Sequence, residues 1–108
     1  MPVNDVDWSR TEKEIAQAAF DKAYKREVET LVRDVRDKAS TIAGLDDIWQ
    51  LNDFLNARRH EIDGKYDYRY ASLIFVFAEL VKEGWLHLDD LKGLDAGKLA
   101  KISALTRM

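Results

Sequence analysis

The sequence has no cysteine, one proline and five glycines in 108 residues, and each scarcity removes a class of answers. Without cysteine there is no disulfide framework, no thiolate zinc site and no cysteine nucleophile, and the expected compartment is a reducing one. With so few helix breakers, and 34% charged residues against ~25% in an average domain, the expectation is an all-α fold of long solvated helices. A strong charge of one sign is also missing. The net charge of -3 leaves no broad basic face for a phosphate backbone, so nucleic acid is not an expected partner. The longest apolar run, "LIFVFAELV" at 73–81, contains Glu79 and falls short of the ~18 residues a membrane span requires. "MPVNDVDW" at the start is acidic and has no apolar core of a signal peptide. One soluble, cytoplasmic domain is expected.

What is present is helical periodicity. Ser9 followed three residues later by Glu12 has the form of a capping box, and no proline or glycine intervenes before Gly44. Phe20, Tyr24, Val28, Leu31, Val35, Ala39 and Ile42 are spaced by three and four, averaging near 3.67 residues per turn, so the helix should run nearly straight. Continuous from Ser9 to Ala43, it would be roughly 50 Å long, against a radius of gyration of about 13 Å for a compact domain of this size. The stripe would then need a second chain, with Val28, Leu31, Val32, Val35 and Ala39 in a homodimer interface. The alternative is a helix broken near its middle into a closed monomeric bundle.

Asp46 and Asp47 can cap a second helix and Gly64 can end it in a left-handed conformation. Asp67 can cap a third helix that Gly84 closes. That third helix is apolar on most of its surface, and Trp85, Leu86, Leu88, Leu91, Leu94, Leu99, Ile102 and Leu105 are expected around it. The organisation expected is a frayed segment over 1–8, a helical stem and dimerisation region over 9–63, and a helical head over 64–108.

On the second helix Ile48, Leu51, Leu55 and Ile62 cluster on one side as the expected core stripe. Trp49, Asn52, Asp53, Asn56, Arg59, His60 and Asp63 fall in a sector about 120° wide on the other. Tryptophan and arginine on one polar face are the types that dominate binding hot spots. The plainer reading packs Trp49 on the first helix or a second subunit and leaves the charges to solvate the surface. The same residues make a poor active site. Asp53 and His60 lie ~10.5 Å apart along a helix, too far for an acid–base dyad, and no serine, threonine or cysteine shares their face. "HEIDG" is not HExxH, and "DGKYD" lacks the rest of a calcium loop. Neither an enzyme, a metal nor a cofactor is expected.

"DDIWQLNDFLNARRHEIDGKYDYR" at 46–69, continued by "IFVFAELVKEG" at 74–84 and "KLAKISAL" at 98–105, closely resembles the fluorescence recovery proteins of cyanobacteria. The resemblance runs from Trp8 to the C-terminus, though the N-terminal half matches more in pattern than in identity. It implies an all-helical dimer with a stem and a head, a regulator that binds the C-terminal domain of the orange carotenoid protein. Members speed return of the red, photoactivated form to the orange one and so end quenching at the phycobilisome, which would bring the chain to the thylakoid surface. Carried over by position, the resemblance assigns Trp49, Asp53 and Arg59 to the partner contact, and Phe75 and Lys101 to a further contact in the head. Asn52 stands where the family generally has histidine, which keeps one hydrogen-bonding edge and loses the ring and any positive charge. That departure leaves open an adaptor from a bacterium without phycobilisomes, acting on a related or different protein.

Overall fold

The computed structural model describes residues 8–108, and the expected fraying of the first seven lies outside them. Trp8, grouped with that segment by its sequence neighbours, is 3% exposed: its ring packs 5.8 Å from that of Tyr70, with the Lys98 ammonium 5.0 Å away.

The elements are α1 (Arg10–Ser40), α2 (Leu45–Lys65), α3 (Leu73–Lys82), a 3₁₀ turn (Leu88–Leu91) and α4 (Ala96–Thr106). The chain is all-α. The first helix begins as its sequence requires: Glu12 N–H donates to the Ser9 hydroxyl at 3.1 Å and Ser9 N–H to the Glu12 carboxylate at 2.9 Å. It then continues unbroken for 31 residues, so the helix broken at its middle is ruled out. Its buried line is Glu12, Ala16, Ala19, Ala23 and Glu27, spaced by three and four but one residue off the line of larger apolar side chains. Small side chains let the head approach the helix backbone closely, which is why alanine lines the contact.

The head is built on α3, whose Leu73, Phe77 and Leu80 are fully buried with Leu91 and Ile102. Each such side chain contributes ~1.5–3 kcal/mol by leaving water. Leu88, expected among them, is 40% exposed. Gly84 ends α3 at φ +89°, with Gly84 N–H donating to the Val81 carbonyl and Trp85 N–H to that of Leu80, a Schellman closure.

Three other helix ends differ from expectation, in position or in residue. Asp47, one of the two residues expected to cap α2, does so from inside its first turn, its carboxylate accepting from the Ala43 and Gly44 N–H groups. Gly64 lies inside α2 without a positive φ, and the helix runs on to Lys65 because the ammonium there is held between Glu27 and Glu83. Asp67 caps nothing: it pairs with Arg69 at 2.6–2.7 Å, and α3 starts only at Leu73. Between the two helices Tyr66, Tyr68 and Tyr70 alternate along the connecting segment, the first two edge-on to Phe20.

The head occupies only the first half of α1. Beyond Glu27 that helix and all of α2 form an antiparallel arm without a buried residue, and the molecule measures 56 × 25 × 23 Å with a radius of gyration of 16.9 Å. Ile48 and Leu55, expected in a core stripe, are 45% and 39% exposed, and Leu51 and Ile62 are half-buried. The stripe exists, but the described residues cover it only in part.

Candidate functional site

The polar face of α2 is aimed by a buried ionic knot beneath it. Glu27, fully buried on α1, accepts from Arg58 at 2.8 Å, from the Tyr66 hydroxyl at 2.7 Å and from Lys65 at 2.9 Å. Arg58 also holds Glu61 at 2.6 Å, and Lys65 holds Glu83 at 2.6 Å. Burial alone would raise the Glu27 pKa; the three donors outweigh it and keep the carboxylate below its ordinary range. The Tyr66 phenol is pushed up, by burial first and by the carboxylate it donates to second. With charges satisfied from three directions, the cluster fixes the rotation of α2 about its own axis.

Arg59 follows Arg58 by ~100° of rotation and points away from the knot. Its side chain is 81% exposed, touching only Asp63 at 3.7 Å, a contact worth ~0–1 kcal/mol. Trp49 is 56% exposed, and Asn52, Asp53, Asn56 and His60 are exposed on the same face. Among the described residues none of Trp49, Asn52, Asp53 and Asn56 has a side-chain bonding partner. Free donors and acceptors around a wide indole can bind a protein surface. Among the described residues no three histidine, cysteine, aspartate or glutamate side chains are grouped so as to hold a metal ion.

The head residues stand apart from this patch. Phe75 is 64% exposed on α3 and meets α2 near Glu61 and Lys65. The twelve residues from Trp49 to Glu61 span about 18 Å of helix, so one small ligand cannot touch both Trp49 and Phe75. Lys101 is exposed on α4. Val28, Leu31 and Val35 are half-buried on α1, with Val32 43% exposed and Ala39 exposed. Sequence reasoning missed Glu27, Lys65 and Tyr66. The available signal was a carboxylate ending a line of alanines at helical spacing.

A second ionic cluster closes the head on the start of the stem. Glu12 accepts from Asp95 N–H at 2.9 Å and from Lys98 Nζ at 3.3 Å, while Asp95 caps α4. Burial would raise the Glu12 pKa, but hydrogen bonds from Ser9, Asp95 and Lys98 lower it overall.

Residues 8–106 match the family described as photoprotection regulator fluorescence recovery protein. A fluorescence recovery protein from Synechocystis is 52% identical over 101 residues, covering 94% of this chain and 93% of that one. The solved structure of the Fremyella diplosiphon fluorescence recovery protein superposes with a TM-score of 0.91 at 64% identity, over 94% of this chain and 99% of that one. The Synechocystis structure gives 0.91 at 51% identity with the same coverage. With the same long stem, the same head and a match over nearly all its length, the chain belongs to the fluorescence recovery protein family of photoprotection regulators.

Proposed function

We propose that this chain is a non-enzymatic regulator that binds the photoactivated orange carotenoid protein, through its C-terminal domain, and accelerates red-to-orange reversion, ending quenching at the phycobilisome. The observation that carries this reading is the family match over residues 8–106. It is supported by an exposed face on α2 with hot-spot residue types and no catalytic grouping. Trp49, Asn52, Asp53 and Arg59 are the contact, with Phe75 and Lys101 extending it onto the head.

The working form is a homodimer. Val32, Ile42, Leu45, Ile48 and Leu55 are all more than one third exposed on the arm, an apolar surface that a second copy would cover with Val28, Leu31, Val35 and Ala39. Among the described residues no helix is long and apolar enough to cross a membrane. The site of action is the cytoplasm, with the thylakoid surface reached through the phycobilisome.

A binding protein shifts another's conformations only through differential affinity. Faster reversion requires tighter binding to the transition state between red and orange forms than to the red form. A stem and head joined by ionic clusters hold two contact regions at fixed separation, so docking on one domain can favour return of the other.

The test is the dark recovery rate of photoactivated orange carotenoid protein with and without the chain. Acceleration at stoichiometric amounts is expected. No acceleration at excess would sink this reading in favour of an adaptor for another protein.

A further inference from the structure

A groove at the junction of stem and head surrounds Phe75, whose contact above was given no chemistry. Glu61 and Lys65 of α2 face Phe75, Val76, Glu79 and Glu83 across a hollow of about 450 Å³. A second hollow lies on the other side of Phe75, against Leu105 and Met108 at the end of α4. Phe75 is thus a ridge between two depressions, 64% exposed on a helix whose other large apolar side chains are buried or half-buried. Core packing does not account for it.

The charges around it are already committed, with one exception. Lys65 is held by Glu27 and Glu83, Glu61 by Arg58, and Glu83 also accepts from the Trp85 indole. Glu79 is exposed and has no partner among the described residues. It lies one turn beyond Phe75 on the same face of α3. An aromatic face beside an unpaired carboxylate is complementary to a guanidinium, which stacks its plane on the ring and turns its donors to the carboxylate. A lysine would match the charge but not the plane.

We propose that the groove between α2 and α3 receives an arginine side chain of the partner protein, stacked on Phe75 and paired with Glu79. This rests on the functional reading above and adds the chemistry of a second contact, at the opposite end of α2 from Trp49. A second copy meeting the groove with its own groove would place carboxylate against carboxylate, so a different protein is favoured.

The experiment measures binding of full-length Glu79→Gln and Phe75→Leu to photoactivated orange carotenoid protein at low and high salt, beside the parent. Each substitution should weaken binding by about tenfold, and Glu79→Gln should also flatten the salt dependence. In a scan of the partner's surface arginines to lysine, one variant should lose affinity and show little further loss with Phe75→Leu. Both substitutions are of exposed side chains and should leave the melting temperature at the parental value. A parent that binds while Glu79→Gln binds equally well, or a scan with no such arginine, overturns the groove alone. A parent that does not bind overturns the functional reading, and the groove with it. If Glu79→Gln changes the mass of the free protein in solution, the groove belongs to a second copy and the proposal falls.

Discussion

Arg58 and Arg59 share a charge, a length and a helix, yet the Arg58 side chain is 20% exposed and that of Arg59 81%. Replacing Arg58 with leucine removes one donor from a buried carboxylate that keeps two others, and should cost about 2 kcal/mol in thermal or urea unfolding. Arg59→Leu should change stability by less than about 0.5 kcal/mol. It should weaken partner binding by roughly 2 kcal/mol, about thirtyfold. Were Arg59→Leu the unstable one, still binding once folded, the functional reading of the polar face would be withdrawn. The outward position of Arg59 was legible from the sequence, because stepping ~100° per residue from Leu51 and Leu55 fixes it. The inward position of Arg58 was not. Its partner lies 31 residues away on another helix, and no periodicity names a long-range ion pair.

At the scale of elements, α1 is a spine joined to its neighbours by carboxylates: Glu12 to α4, Glu27 to α2, and Asp90 of the 3₁₀ turn to Lys22 and Arg26. Burial works against the charge of Asp90, but the His87 N–H, Arg26 and Lys22 bring its pKa down to about 2. All three groups are lowered from their ordinary values, so the unfolded chain takes up protons first as the pH falls. Their contribution is complete above ~pH 5 and is lost between roughly pH 4 and 2. Circular dichroism melts should therefore show a flat melting temperature from pH 5 to 7 and a steep fall below pH 4. A profile that stays flat to pH 2 would mean these joints carry no stability. Helix ends divided the same way between readable and hidden. The Ser9–Glu12 cap and the Gly84 stop are local chemistry, complete within a few residues, and the sequence displays them. Gly64 is an equally good stop by composition, but Lys65 gains two carboxylates by staying helical, the buried one of Glu27 38 residues away and the exposed one of Glu83.

For the whole molecule, shape carries the argument. A radius of gyration of 16.9 Å against about 13 Å for a compact chain of this length leaves an arm whose apolar residues face water. The overhang was legible because helix length alone implies it; which residues face the head was not, since the alanine line is weaker in hydrophobicity than the larger side chains beside it. Changing both Leu31 and Val35 to glutamate would bury two charges in the proposed interface, at several kcal/mol. A folded, helical monomer is expected by light scattering at micromolar concentration, and twice the chain mass would show that the interface lies elsewhere. The three tryptophans also divide the molecule into regions: Trp8 is buried at the head, Trp85 is half-buried with its indole bonded to Glu83, and Trp49 is 56% exposed on the arm. Indole emission depends on the polarity of its surroundings, so Trp8 is expected at the blue edge of the intrinsic fluorescence and Trp49 at the red. An aqueous quencher reaches the arm before the head. The chain thus carries its own optical label at the patch, and a partner settling over α2 is distinguishable, without any dye, from a change in the packing around Trp8.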